Sequence, residues 1–309
     1  MLKESILGQN IDNKIDLSGI AVRHGIFVSL SAFFRYYFIN SLVKLDWMKI
    51  VLLAGGIGSR AKPFSDYSPK ALIPINGKPL IDYIIKYVSK FSQITEIIIV
   101  CEFDSHGKQI INYLEGKERI IGKKIIFIED RKKGTGGALL ECMKSLEKED
   151  FFMVWYADNL CAIDINSLVK EYIKINSKSD EGLIGIVIAR SHRKEETGRL
   201  ILDKKLTKNI YLIKEFSEKP IVKLEYPEAS GIYLFSNRIM SFLKIKSNEK
   251  DGKGFDLSSD ILSKIRINDN NSIFCYDVFL SGTDWIDIES PSYLERNKKV
   301  VDKVISQME

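Results

Sequence analysis

The chain has 309 residues, 45% of them hydrophobic, which is enough to bury a full α/β core and makes disorder a poor starting assumption. Lys and Arg total 46 against 41 Asp and Glu; the resulting charge of +5 suits anionic small molecules and is too diffuse to argue for nucleic acid. Four scattered cysteines (Cys101, Cys142, Cys161, Cys275) form no C-x-x-C pair, and His24, His106 and His192 supply neither a triad hydrolase nor a His-ligated zinc centre. Carboxylates and cations are left to carry the chemistry, in a reducing cytoplasm.

Residues 1–47 differ in texture from the rest, and FVSLSAFFRYYFIN at 27–40 is the most aromatic stretch of the chain. Arg35 interrupts it, and the unbroken part, 25–34, falls well short of the roughly 20 apolar residues a spanning helix needs. No small-residue cleavage site follows, so neither a membrane span nor a secretory leader is expected. Two readings of 1–47 stand side by side: Met48 as the natural start, or an extra helix that packs on the domain or on a partner. The domain proper is expected to run over 48–309.

Apolar, β-branched runs at 50–54, 97–101, 124–128 and 151–156 predict strands, with helical patterns between them at 80–91, 109–114 and 138–146. This alternation predicts a doubly wound, mostly parallel sheet with helices on both faces and ligands beyond the carboxyl ends of its strands. Shorter strands follow at 183–190, 199–202, 210–216 and 229–235. Helices are expected near Ile239 and over 257–265, an exposed loop at 247–254, and a closing helix over 291–307.

Gly55, Gly56 and Gly58 come directly after the first strand, where backbone N–H groups can meet an anion without Cβ obstruction. The glycines alone fit neither common nucleotide fingerprint. Ala61 stands where a dinucleotide motif needs its third glycine, and Gly116 and Gly122 have the wrong spacing and company for a P-loop. Arg60 and Lys70 give the loop direction, since each can meet a triphosphate that the glycine amides hold.

Residues 52–81, LLAGGIGSRAKPFSDYSPKALIPINGKPLI, resemble the signature of the sugar-phosphate nucleotidylyltransferases, and the likeness extends over nearly all of 48–309. It departs at Ser59 for a usual Thr, Ala61 for Leu and Ala71 for Pro, none of which removes a charge. The resemblance implies a Rossmann-like core with a sugar-binding elaboration, and a Mg²⁺-dependent transfer from an NTP to a sugar 1-phosphate that releases pyrophosphate. It implies that Leu53, Ala54, Gly55, Gly56, Gly58 and Ser59 hold the nucleotide, while Arg60 and Lys70 neutralise charge during transfer.

The strand at 151–156 runs into Asp158, a carboxylate where ligands collect and the first metal candidate. A second is Asp287 in Trp285-Ile286-Asp287-Ile288, with Asp284 close enough to be confused with it; Mg²⁺ takes one or two carboxylates beside substrate phosphates. Here Glu289 and Ser290 replace the family's Gly-Thr. The acceptor phosphate is already anionic, so the chemistry needs no general base.

Glu215 to Pro220 resemble the F-x-E-K-P element, which implies Glu218 on sugar hydroxyls and Lys219 on the sugar phosphate. Gly198, Ser230 and Gly231 resemble further sugar-side positions. Glu129 and the segment Gly134-Thr135-Gly136-Gly137-Ala138 resemble the base side of guanylyltransferases acting on mannose or heptose 1-phosphates, so GTP is the favoured donor. Thymidylyl or uridylyl transfer to glucose 1-phosphate, transfer to an alcohol phosphate and a non-catalytic nucleotide-sugar sensor remain as alternatives. The partners expected are an NTP and a sugar 1-phosphate, with a homo-oligomer admitted and with no nucleic acid or membrane span.

Overall fold

A computed structural model of the chain describes residues 47–56, 58–104, 106–178, 182–190, 198–219, 227–268, 270–278 and 283–309. Leu45–Glu309 forms one compact unit. The expectations for 1–46 lie outside the described residues, as does Pro220 of the sugar-side element.

The first half alternates as its sequence predicts. Strand β1 (Met48–Leu53) is followed by a small hairpin, β2 (Pro74–Ile75) and β3 (Lys78–Pro79), and helix α1 (Leu80–Ser89). Then come β4 (Ile94–Cys101), α2 (Gly107–Leu114), α3 (Glu118–Ile121), β5 (Lys124–Glu129), α4 (Gly134–Glu141), α5 (Met143–Leu146) and β6 (Phe151–Tyr156). The second half holds β7 (Asn159–Cys161), α6 (Ile165–Asn176), β8 (Leu183–Arg190), β9 (Arg199–Lys205), β10 (Ile210–Ser217), β11 (Glu228–Ser236) and α7 (Ile239–Glu249). It closes with β12 (Ser272–Asp277), β13 (Trp285–Asp287), α8 (Pro291–Arg296) and α9 (Lys298–Met308).

Nine strands form one sheet in the order β5-β4-β1-β6-β11-β8-β12-β10-β9, with β10 and β11 running against the others. An extra pairing of Glu228 with Arg199 brings β9 round to β11, so the far half of the sheet curls on itself. Successive side chains of a strand point to opposite faces. Ile50, Leu52, Met153 and Trp155 accordingly enter one core with α1, α6 and α9, while Val51, Phe152 and Val154 enter the other with α4 and α7. Burial on both faces is why the central strands read as unbroken apolar runs.

Helix α6 shows how local chemistry sets a boundary. Asp164 accepts a hydrogen bond from Ser167 N at 3.1 Å, and Ile165, Leu168, Val169, Tyr172 and Ile175 make the buried stripe.

Several expectations need correction. The helix expected at 138–146 begins at Gly134 and breaks at Cys142, so the glycine-rich segment is the first turn of α4 and not a loop before it. The stretch 257–265 is a π turn over Leu257–Ile261 followed by a 3₁₀ turn over Leu262–Lys264. The closing helix is divided at Asn297, whose side-chain amide donates to Tyr293 O at 2.9 Å. The loop expected at 247–254 starts later, because α7 continues to Glu249. Strands β7 and β13 have three residues each, too few for any periodicity to show.

Trp155 is fully buried, and its indole N–H donates to Asn159 O at 2.8 Å, tying the end of β6 to the turn that carries Asp158. Trp155→Ala is expected to cost about 3–5 kcal/mol, measured as a lower urea midpoint with unchanged slope.

Candidate active site

The cleft starts where β1 stops. Ala54 N donates to Val100 O at 2.8 Å and Ala157 N to Leu53 O at 3.0 Å, so the glycine loop and the Asp158 turn leave the sheet side by side. Gly55 lies against Asp130: a Cβ there would sit 1.9 Å from Asp130 Oδ2. Burial raises the Asp130 carboxyl above the ordinary range, and its other oxygen accepts Lys132 N at 2.9 Å. Gly56 has open space where its Cβ would be, and Gly58 packs against Ser65 and Lys70. Ser59 and Arg60 follow as an exposed 3₁₀ turn.

Lys70 crosses the cleft. Its ammonium donates to Asp158 Oδ2 at 2.6 Å, and the amide of Asn159 donates to Asp158 Oδ1 at 2.8 Å. Strand β13 runs alongside, with Asp287 level with Asn159 and Ile288 N donating to Asp158 O at 2.7 Å. The next residue, Glu289, accepts from Arg60 at 3.0 Å. Five predicted positions, Gly58, Arg60, Lys70, Asp158 and Asp287, are therefore linked through one another. Asp284 is held elsewhere: it bonds Lys303 at 2.6 Å and exchanges hydrogen bonds with Gln307, both on α9.

The sugar-side positions gather round Tyr156 at the end of β6. Gly231 sits in a bulge of β11, at φ +74°, with Asn159 Nδ2 only 2.8 Å and the Tyr156 ring 3.0 Å from where a Cβ would be. Both the left-handed φ and the close approach require glycine there. Glu218 has Gly198 beside its Oε2 and lies within electrostatic reach of Asp256. Burial is the largest cause of its raised pKa; Asp256 adds to it and Lys219 opposes it. Lys219 is exposed and held at φ +43°.

On the base side, Thr135 donates to Asp256 Oδ1 at 3.3 Å and accepts from Leu257 N at 2.9 Å, which closes the first turn of α4 under the π turn. Burial pushes the Tyr156 hydroxyl up to about 12, so it is a neutral group near physiological pH. Two predicted positions stand apart. Ser230 is buried and donates its hydroxyl to Ile188 O at 2.8 Å, inside the sheet and not towards the cleft. Glu129 is exposed at the end of β5, 3.7 Å from Arg131.

Sequence reasoning passed over Asp130, Asn159 and Glu289. Asn159 follows Asp158 directly and Glu289 breaks a family pattern, so both had a signal; Asp130 had only its place after a strand. Among the described residues no group of three or more His, Cys, Asp or Glu side chains converges as a ready-made metal cage. Asp158, on the turn after β6, and Asp287, on β13, carry hard carboxylate oxygens on adjoining segments. That donor set suits a cation that completes its shell with substrate phosphate and water.

The α/β architecture, a mostly parallel sheet with helices on both faces, is shared with solved proteins. A UDP-glucose pyrophosphorylase solved with UDP-glucose superposes with a TM-score of 0.62 at 21% identity, over 85% of this chain and 97% of that one. The chain belongs to the nucleotidyl transferase family, whose model matches residues 49–303. It is 27% identical over 260 residues to a bifunctional sugar-1-phosphate nucleotidylyltransferase/acetyltransferase of Sulfurisphaera tokodaii, covering 84% of this chain but only 57% of that relative's length. It is 29% identical over 195 residues to a D-glycero-α-D-manno-heptose 1-phosphate guanylyltransferase of Campylobacter jejuni, covering 63% of this chain and 78% of that one.

Gly55→Ala tests the loop. Overpacking costs roughly 1–3 kcal/mol, so nucleoside triphosphate affinity by calorimetry is expected to fall about tenfold. Asp130→Gly in the same chain, which removes the obstructing carboxyl, is expected to restore most of it.

Proposed function

We propose that the chain transfers a nucleoside monophosphate from an NTP to a sugar 1-phosphate and releases pyrophosphate, with GTP as donor and mannose or heptose 1-phosphate as acceptor. The observation that carries this reading is the Lys70–Asp158 pair at 2.6 Å, which joins the anion loop to the carboxyl end of β6. A phosphate oxygen of the acceptor attacks the α-phosphorus of the NTP; the bond to the bridging oxygen breaks and pyrophosphate leaves with that electron pair. Because the attacking oxygen is anionic, the protein's task is alignment and charge neutralisation.

Each residue has a part in that task. The amides around Gly55, Gly56 and Gly58 cradle the triphosphate, and Lys70 and Arg60 offset charge as it moves to the leaving group. Asp158 and Asp287 would hold Mg²⁺, which supplies positive charge to the phosphates when bound. Glu218 accepts the sugar hydroxyls and Lys219 meets the sugar phosphate, with the Gly231 bulge as the adjoining wall. The guanine preference is supported by the heptose 1-phosphate guanylyltransferase relative; the buried Gly136 and Gly137 of α4 make room for Phe255 and Lys133. Four cysteines without disulfides support action in the cytoplasm.

Purified protein with Mg²⁺ is expected to release pyrophosphate from GTP only when mannose or heptose 1-phosphate is added. Release with another NTP alone would overturn the guanine preference, and no release from any pair would overturn the reaction. Asp158→Asn is expected to lower turnover by about 100-fold or more while unfolding as the parent does.

The raised pKa of Glu218 gives a pH test. Its carboxylate is the acceptor for sugar hydroxyls and is lost as pH falls through a pKa above that of an ordinary Glu. KM for the sugar phosphate is expected to rise on the acid side at a higher pH than a solvated Glu would allow. The rise should be absent in Glu218→Gln, whose KM is high throughout.

A further inference from the structure

Strand β13 carries Asp287, yet it has three residues and pairs only with the three residues of β7. Short two-stranded pairings are marginal by themselves. What orients Asp287 must come from outside the pairing. After Asp287 the chain is held by Ile288 N on Asp158 O and by Glu289 on Arg60; before it, one tether is Asp284, held by Lys303 and Gln307 on α9. The other is Trp285, and it leads to the only cluster of fully buried opposite charges among the described residues.

Arg190, Arg199 and Glu228 are 7%, 1% and 0% exposed. They sit where β8, β9 and β11 meet, with Glu228 level with Arg190 on one side and Arg199 on the other. Arg190 forms an ion pair with Glu228 Oε1, and Arg199 reaches Oε2 at 3.1 Å. The Arg190 guanidinium lies 3.8 Å from the centre of the Trp285 ring, and its NH1 is 3.5 Å from Trp285 O. The indole N–H of Trp285 in turn donates to Ser230 O at 3.0 Å, one residue before the Gly231 bulge.

Burying ions this deeply is costly unless their geometry is well satisfied, and apolar residues could close the same sheet junction. The cluster does something an apolar plug cannot: it holds a planar cation at a set angle against an indole. Arginine's rigid, weakly hydrated fork is suited to binding a carboxylate on its edge while stacking on an aromatic face.

We infer that Arg190 is a positioning residue for Asp287: fixed by Glu228, its guanidinium clamps Trp285, and Trp285 sets the strand that presents the Asp287 carboxylate. Through Ser230 O the same indole ties that carboxylate to the sugar-side bulge, so the two halves of the cleft share one support. The inference rests on the reading of Asp287 as a metal carboxylate.

Mn²⁺ binding in the presence of an NTP and without acceptor, followed by electron paramagnetic resonance, tests it beside turnover. Arg190→Lys keeps a cation for Glu228 and removes the stacking plane; Trp285→Phe keeps all three charges and removes the N–H that holds Ser230 O. Each is expected to bind Mn²⁺ about tenfold more weakly and to lose kcat, with KM for the NTP unchanged. Native Mn²⁺ affinity and kcat in folded Arg190→Lys would overturn the inference. Should that variant not fold, Trp285→Leu, which removes the aromatic face as well as the N–H, decides in its place, and native Mn²⁺ affinity and kcat there overturn the inference equally. Asp287→Asn, which leaves the clamp intact, separates the two failures: native Mn²⁺ affinity in that variant removes the metal reading and the inference together, whereas weakened binding there with native clamp variants removes the inference only.

Discussion

Parallel pairing of β1 with β6 sets Leu53 level with Tyr156, and the layout of the cleft depends on that register. Side chains alternate across a strand, so a slip of one residue would exchange the two buried faces of both strands. With Ile50 and Leu52 in one core and Val51 in the other, such a slip is strongly disfavoured. Since β4 and β5 continue the same parallel order, Asp130 arrives beside Gly55 as the sheet is built outwards. The glycine loop, the Asp158 turn and Asp130 thus emerge along one edge, as ligand-binding segments do in open α/β sheets.

Charge in the cleft is arranged in pairs. Lys70 meets Asp158 and Arg60 meets Glu289, so each of these cations has a carboxylate partner. The contacts differ in character: the Lys70 side chain is 13% exposed and that of Arg60 is 65% exposed. An exposed pair contributes little to stability, whereas a sheltered one orients its members. Lys70 is the fixed element and Arg60 the adaptable one. Partial burial raises the carboxyls of Glu218 and Asp130 above the ordinary range.

The second half of the chain uses the same sheet differently. Reversal of β11 and β10 lets β9 fold back to Glu228, and the curl makes a wall that the parallel half alone would not provide. A bulge at Ser230–Gly231 re-aims this wall towards Asn159 and Tyr156. The Trp285 indole N–H ties this wall to β13 through Ser230 O, and the Trp155 indole N–H ties β6 to the carboxylate turn through Asn159 O.

Much of this was legible in the residues themselves. The apolar runs of β1, β4, β5 and β6 announce buried parallel strands because both faces need hydrophobic side chains, and the GGIGSR loop with Lys70 announces an anion site because glycine amides and cations serve little else in that arrangement. Local patterns carry such information when the requirement is local. Asp130 against Gly55, Glu289 against Arg60, and the Arg190–Trp285 stack join residues distant in the chain, and no spacing rule foretells them. Strands β7 and β13 escaped because three residues hold no period, and Ser230 was assigned to the sugar side although its hydroxyl closes a hydrogen bond within the sheet. Short-range periodicity and residue chemistry are enough to specify the core strands, the glycine-rich turn after β1 and the carboxylate that follows β6. Which carboxylate each cation meets, and which buried charges gather beside Trp285, depend instead on how the sheet curls and which strand ends it brings together.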